Sequence, residues 1–128
     1  MRTKEQLHSQ ERALRGAALA LEKKALNVKI LHIGRLSSIA EFLVLVDGRS
    51  DKQVQAIADS VKMGMKKYAK ALHVEGLKEG NWVIIDFGDV IVHVFHEEKR
   101  RYYNLDELWN RAPELEIPAD YVLEADEE

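Results

Sequence analysis

The chain of 128 residues contains no cysteine and only two prolines. Without thiols it cannot form disulfides, thiolate metal sites or a cysteine nucleophile, and this composition suits the reducing cytoplasm. The sequence also lacks a run of 18 apolar residues, which is what a membrane-spanning helix requires. Residues 1–12 are charged and lack the apolar stretch of a secretory signal. We therefore expect a cytoplasmic protein with no membrane association.

Negative charge is concentrated at the C-terminal end. Seven of the 22 acidic residues follow Ala112 and no Lys or Arg does, which leaves 19 basic against 15 acidic residues, a net charge of +4, over residues 1–111. We therefore predict one domain over 1–111 and a flexible acidic tail over 112–128. The domain is less basic than proteins whose affinity comes mainly from phosphates, so a protein suits it better as a partner than bare RNA.

Apolar periodicity predicts the elements of the first half of the chain. Apolar residues recur every three to four positions from Lys4 to Leu26, which predicts a helix. Residues 28–33 predict a strand. The almost wholly apolar run Phe42–Val46 predicts a central strand that is buried on both faces.

The second half continues with a helix, three strands and a short helix. Ser50 and Gln53 form a capping-box pattern at the start of a helix over 50–70. Three strands are predicted at 72–75, 82–87 and 90–95, and a helix over 105–111 follows Asn104. The order αββαβββα predicts a single α/β domain with a mixed five-stranded sheet flanked by helices.

The segments 82–87 and 90–95 predict a hairpin with two unlike faces. A two-residue turn at Phe87-Gly88 would place Asp86 opposite Asp89 and Trp82 opposite His93. Side chains alternate between the faces of a strand. The aliphatic face comprises Val83, Ile85, Val90, Val92 and Val94. The mixed face comprises Trp82, Ile84, Asp86, Asp89, Ile91, His93 and Phe95.

The mixed face is the candidate binding site. Two carboxylates that oppose each other across a ladder repel, so Asp86 and Asp89 would require water, a cation or a basic partner. A tryptophan beside apolar residues and acids is typical of a protein interface. The alternative is that this face packs on the N-terminal helix and that Trp82 belongs to the core.

Catalytic and metal-binding patterns are weak. Asp86 and Asp89 could hold Mg²⁺ near His93, but the chain has no phosphate-binding loop to supply the usual further ligands. His93 and His96 would point to opposite sides of a strand. Gly48-Arg49-Ser50 precedes a helix and is explained by simple capping. We therefore predict no catalytic residue, no metal and no cofactor.

The assembled motifs resemble the ribosomal silencing factor family, also called RsfS or Iojap. The family pattern includes Leu36-Ser37-Ser38-Ile39-Ala40, Asp47-Gly48-Arg49-Ser50-Asp51-Lys52-Gln53-Val54, Ile57-Ala58-Asp59, Val74-Glu75-Gly76, Asn81-Trp82-Val83, Asp86-Phe87-Gly88-Asp89-Val90, Val92-His93-Val94-Phe95, Glu97-Glu98 and Tyr103-x-Leu105-x-x-Leu108-Trp109. The match covers about residues 5–110 in order and spacing. Arg49 replaces a threonine that is common in the family.

The resemblance implies a fold related to nucleotidyltransferases without their activity. It implies binding to the fourteenth protein of the large ribosomal subunit, steric blocking of subunit joining and lower translation when nutrients are short. Trp82 matches the family tryptophan at this contact, and a homodimer is a further expectation. Arg100 and Arg101 could add a minor contact with rRNA phosphate.

The fold relation also leaves an enzymatic alternative open. A nucleotidyltransferase requires a Gly-Ser loop and an Asp-x-Asp on one strand face for its metals. Gly48 and Ser50 are present, but no Asp-x-Asp follows, and Asp86 and Asp89 lie on either side of a turn.

Overall fold

A computed structural model describes the backbone of residues 4–121 and the side chains of residues 8–121. Its elements, in chain order, are α1 (Lys4–Glu22), β1 (Leu26–His32), β2 (Phe42–Gly48), α2 (Asp51–Met65), β3 (His73–Glu75), β4 (Trp82–Asp86), β5 (Val90–His96), α3 (Glu97–Tyr103), α4 (Leu105–Leu108) and β6 (Glu114–Leu115). None of the helices in this part of the chain has the length and hydropathy needed to span a bilayer.

The strands form one mixed sheet in the order β3-β4-β5-β2-β1-β6. β2 and β5 run parallel, and the other neighbouring strands run antiparallel. The predicted α/β class with a mixed sheet is confirmed, with six strands in place of five. All seven residues of β2 are buried, as its apolar sequence predicts for a central strand.

The sixth strand comes from the segment that we predicted to be a flexible tail. β6 pairs with β1, and the Pro113 carbonyl accepts a hydrogen bond from the His32 N–H at 2.8 Å. Leu115, Ile117 and Tyr121 then pack against the core. The prediction is therefore wrong for residues 112–121, because apolar residues alternate there with the acids and cover the edge of β1. Residues 122–128 lie outside the described part of the chain.

Helices α1 and α2 cover the aliphatic face of the sheet. The buried stripe of α2 comprises Val54, Ile57, Ala58, Val61 and Met65. Ser50 Oγ accepts a hydrogen bond from the Gln53 N–H at 3.1 Å, as the capping box predicts. The Gln53 side chain accepts from the Arg49 N–H at 2.7 Å, one residue before the predicted donor. Only the Ser50 half of the capping box is therefore present.

Residues 97–103 form α3, a helix that the sequence did not predict. Asn104 ends α3 in the left-handed region with a φ of 51°, and α4 then ends at Leu108, three residues before the predicted end of the helix at Arg111. The segment that follows α3 lies on the second face of the sheet. There Leu105, Trp109 and Ala112 pack against a small apolar cluster of the strands.

Candidate functional site

The β4–β5 hairpin has a different register from the predicted one. The Phe87 N–H donates to the Val90 carbonyl at 2.9 Å, so Gly88 and Asp89 form the turn. Gly88 has a φ of 95°, which a two-residue turn accepts at its first position as well as at its second. Trp82 consequently pairs with Phe95 and Ile84 with His93. The predicted register is therefore wrong by two residues.

A shift of two residues leaves every side chain on its predicted face. Val83, Ile85, Val90, Val92 and Val94 are completely buried and belong to the core cluster with α1 and α2. Trp82 and Phe95 lie on the other face, in the cluster that α4 contacts. The predicted division of the hairpin into two faces is confirmed for the strand residues.

Asp89 is a turn residue, and its carboxylate contacts α1. Its Oδ2 accepts a hydrogen bond from Ser9 Oγ at 2.7 Å and pairs with the Arg12 guanidinium at 2.9 Å. The predicted pair of opposed carboxylates is therefore wrong, because Asp86 pairs with Ile91 and Asp89 has its own cation. The structure separates the carboxylates that the Mg²⁺ hypothesis required to lie together.

Asp86 keeps an unmatched negative charge on the mixed face. Its Oδ1 accepts a hydrogen bond from the Gly88 N–H at 2.7 Å, which orders the turn. No Lys or Arg within the described residues pairs with it. Its neighbour on β3, His73, pairs instead with Glu75 at 2.7 Å.

Trp82 lies half-buried in a cluster of aromatic rings. Its indole Nε1 donates a hydrogen bond to His93 Nδ1 at 3.0 Å. The ring centroids of Phe95 and Tyr103 lie 5.1 and 4.4 Å from that of Trp82. We predicted for Trp82 either an exposed ring or a core ring packed on the N-terminal helix. The structure shows neither, because the ring is half-buried and lies on the face away from α1.

Two of the predicted site residues lie beneath the surface. Phe95 is 0% exposed and His93 is 9% exposed. Burial also lowers the pKa of His93 to about 4, so its imidazole is neutral at pH 7. Phe95 can therefore support a contact surface but cannot touch a partner, and His93 is almost as inaccessible.

The mixed face is covered only in part. Leu105, Trp109 and Ala112 pack against an apolar cluster that includes Leu31 and Phe95. Among the residues that the structure describes, four side chains on the β4–β5 portion are half-buried, and Tyr103 of α3 contacts one of them, Trp82. We call these four side chains the open surface: Trp82, Ile84, Asp86 and Ile91.

The open surface meets exposed aromatic residues that the sequence reasoning did not assign to the site. Tyr103 contacts Trp82, and Tyr102 contacts Tyr103 with a centroid separation of 5.0 Å. Tyr102 is 76% exposed. Tyr103 supported only the resemblance and Tyr102 had no predicted role, although two adjacent tyrosines next to a predicted binding hairpin could have indicated their place.

Arg100 is buried and is not available to phosphate. Its guanidinium donates to Asp47 at 2.7 Å, to Asp106 at 2.8 Å and to the Asn27 carbonyl at 3.0 Å. These bonds raise the pKa of Arg100, against the opposing effect of burial, and they hold the pKa of Asp106 well below its usual range. The predicted phosphate contact of Arg100 is wrong, whereas Arg101 is exposed and its contact stays a prediction.

No three His, Asp or Glu side chains converge on a possible metal position within the described residues. Ser50, the serine of the nucleotidyltransferase alternative, uses its hydroxyl to cap α2.

Comparisons with known proteins place the chain among ribosomal silencing factors. A family model described as "Ribosomal silencing factor during starvation" matches residues 6–128. The ribosomal silencing factor RsfS of Halalkalibacterium halodurans is 44% identical over 97 residues, which cover 75% of this chain and 83% of that protein.

Solved structures show the same fold. A crystal structure of a protein from Bacillus halodurans has a TM-score of 0.74 and 39% identity, and the match covers 84% of this chain and 98% of that one. An X-ray structure of a protein from Chromobacterium violaceum has a TM-score of 0.77 and 31% identity over 79% of this chain and 85% of that one. With a family model that spans nearly the whole sequence and a relative that is similar over most of its length, this chain belongs to the ribosomal silencing factor family.

Proposed function

We propose that the protein binds the large ribosomal subunit through its open surface and sterically blocks association with the small subunit. The proposed contact is the fourteenth protein of the large subunit, and the proposed outcome is repression of translation, chiefly under nutrient limitation. Membership of the ribosomal silencing factor family supports the link to the ribosome. The open surface supports the mode of binding.

The observation that carries the proposal is the partial exposure of the open surface within the described residues. Ile84 and Ile91 stand on adjacent strands, and within the described residues both side chains stay partly exposed. Uncovered apolar side chains on a sheet favour association with another protein. The unmatched charge of Asp86 at the edge of this patch favours a partner that brings a basic side chain to the same place.

The burial of each side chain decides which residues can touch the partner. Trp82, Ile84, Asp86 and Ile91 would touch the partner, while His93 and Phe95 would support them from below. Asp89 would contribute only by fixing the turn against α1. Exposed Tyr102 and Tyr103 would extend the apolar rim, and exposed Arg101 could add a minor rRNA contact.

The proposed action requires only that the protein occupy the surface of the large subunit that meets the small subunit, and it requires no catalysis. We place the protein in the cytoplasm, where ribosomal subunits join. A homodimer through the open surface would hide the same residues, so dimerisation and binding to the ribosome would compete.

Ile84→Glu tests the proposed surface. The change replaces an apolar contact with a second negative charge beside Asp86. Loss of a hot-spot residue near the centre of an interface costs about 2 kcal/mol or more, which exceeds a tenfold change in affinity. We expect at least a tenfold loss of affinity for purified large subunits, measured by co-sedimentation.

Met63→Glu is the matched control. Met63 is 63% exposed on α2, on the other side of the sheet, so the same chemical change there should leave binding unaltered. Urea unfolding of both variants reports whether the fold is intact. Equal affinities of Ile84→Glu and Met63→Glu for the large subunit would contradict the assignment of the open surface.

A further inference from the structure

We infer that His93 is a positioning residue for Trp82, and that it turns the polar N–H edge of the indole inward so that Trp82 offers a partner only carbon atoms. The inference rests on the proposed function, because it concerns how the open surface makes its contact. It assigns His93 an indirect role, in place of the direct contact that the sequence suggested.

The geometry starts from the hairpin register. Trp82 pairs with Phe95 and Ile84 pairs with His93, so Trp82 and His93 are diagonal neighbours on one face. At this separation the indole Nε1 reaches His93 Nδ1 at 3.0 Å. Diagonal neighbours on a sheet are within reach of long aromatic side chains. The diagonal placement of the two side chains on one face therefore accounts for the hydrogen bond.

The surroundings of His93 favour a neutral acceptor. Its neighbours in register are Leu45 on β2 and Ile84 on β4, and its ring stacks with Phe95 at a centroid distance of 6.0 Å. None of these groups carries a charge. Burial lowers the pKa of His93, which keeps Nδ1 unprotonated. Because Nδ1 accepts, the ring proton must reside on Nε2.

The two aromatic contacts and the hydrogen bond have different effects on Trp82. Phe95 and Tyr103 contact the ring and define its plane. The bond to His93 defines which edge of the ring faces inward. A side chain that is already ordered loses less conformational entropy when it binds. The Trp82 ring is therefore already ordered when it meets its partner and presents an apolar edge. Its indole N–H is not available to donate to the partner.

A pair of His93 variants separates positioning from simple packing. His93→Phe keeps an aromatic ring but removes the acceptor, whereas His93→Asn removes the ring and retains an oxygen near the position of Nδ1. The chain has two tryptophans, Trp82 and Trp109. In NMR spectra of Trp109→Phe one of the two indole N–H signals disappears, and the signal that remains belongs to Trp82. Solvent exchange of the Trp82 indole proton then reports the hydrogen bond directly.

We expect exchange of the Trp82 indole proton to accelerate at least tenfold in His93→Phe and to remain closer to the wild-type rate in His93→Asn. Affinity for purified large subunits should fall about fivefold in His93→Phe and recover partly in His93→Asn. A merely structural role of His93 would instead give the smaller loss of affinity in His93→Phe, which preserves the volume and the ring stacking.

Two results would overturn the inference. Unchanged indole exchange in His93→Phe would show that the hydrogen bond does not hold Trp82. Accelerated exchange with unchanged affinity would show that the bond exists but does not prepare the contact. Neither result contradicts the proposed function as long as Ile84→Glu still loses affinity for the large subunit. If Ile84→Glu instead binds like Met63→Glu, the proposed surface is wrong whatever the His93 variants show.

Discussion

His93 places a titratable ring inside an apolar sheet face, and this has a consequence for stability. Burial lowers its pKa from the ordinary 6.5 to about 4 in the folded protein. The unfolded chain therefore binds this proton more readily than the folded chain as pH falls below about 6.5. The contribution of neutral His93 to stability is present above that pH and is lost as pH falls towards 4.

We expect the free energy of unfolding of the wild type to fall by about 2–3 kcal/mol more than that of His93→Asn between pH 7 and pH 4. Urea unfolding at a series of pH values measures this difference. His8→Asn, a change at an exposed histidine, is the control and should follow the wild-type profile. Parallel profiles of the wild type and His93→Asn would contradict the buried, neutral state of His93.

Only some features of the candidate site could be predicted from the sequence. Alternation along β4 and β5 placed Trp82, Ile84 and Asp86 on one face, because a strand has a period of two. The register was not determined, since Gly88 suits either position of a two-residue turn. The partner of Asp89 was also out of reach, because Arg12 lies 77 residues away and only the tertiary fold brings it near.

Among the elements, α3 depends on an ion-pair network at one end of the sheet. Arg100 of α3 bonds to Asp47 at the end of β2, to the backbone of Asn27 in β1 and to Asp106 of α4. Lys29 of β1 also pairs with Asp106, at 3.0 Å. The network thus joins both short helices to the central strands, next to the aromatic cluster that contains Trp82.

Removing Arg100 should therefore destabilise the protein strongly. Asp47 is 1% exposed, and a buried carboxylate that loses its partner costs roughly 3–5 kcal/mol. We expect Arg100→Ala to lower the free energy of unfolding by about 3 kcal/mol in urea titrations. Its neighbour Arg101 is exposed, so Arg101→Ala should change stability by less than about 0.5 kcal/mol. Similar effects of the two changes would contradict the structural role of the network.

The long elements were more predictable than the short ones. Helices α1 and α2 and strand β2 have apolar patterns that span several turns or the whole strand, and their positions were predicted to within a few residues. The Glu97–Arg101 sequence gives no apolar period, so α3 was missed. β6 was missed because it comprises only an acid and one apolar residue, Glu114 and Leu115, and only the edge of β1 explains why they form a strand.

The whole molecule is a sheet with unequal coverage. α1 and α2 cover one face, while the segment around α4 packs against the apolar cluster of the other face, and the open surface is half-buried within the described residues. β6 protects one edge of the sheet. The sequence predicted the layers, since both α1 and α2 have one apolar stripe, but it could not show that the open surface stays partly exposed in the part of the chain that the structure describes.

In the proposed function, the open surface is the contact through which the protein blocks subunit joining. The most direct test is light scattering by purified large and small subunits as they associate, in the presence of each purified protein. We predict that the wild type and Met63→Glu slow or prevent association, and that Ile84→Glu has at most a tenth of their effect at equal concentration. Inhibition by Ile84→Glu as strong as that by the wild type, or no inhibition by the wild type, would contradict the claim.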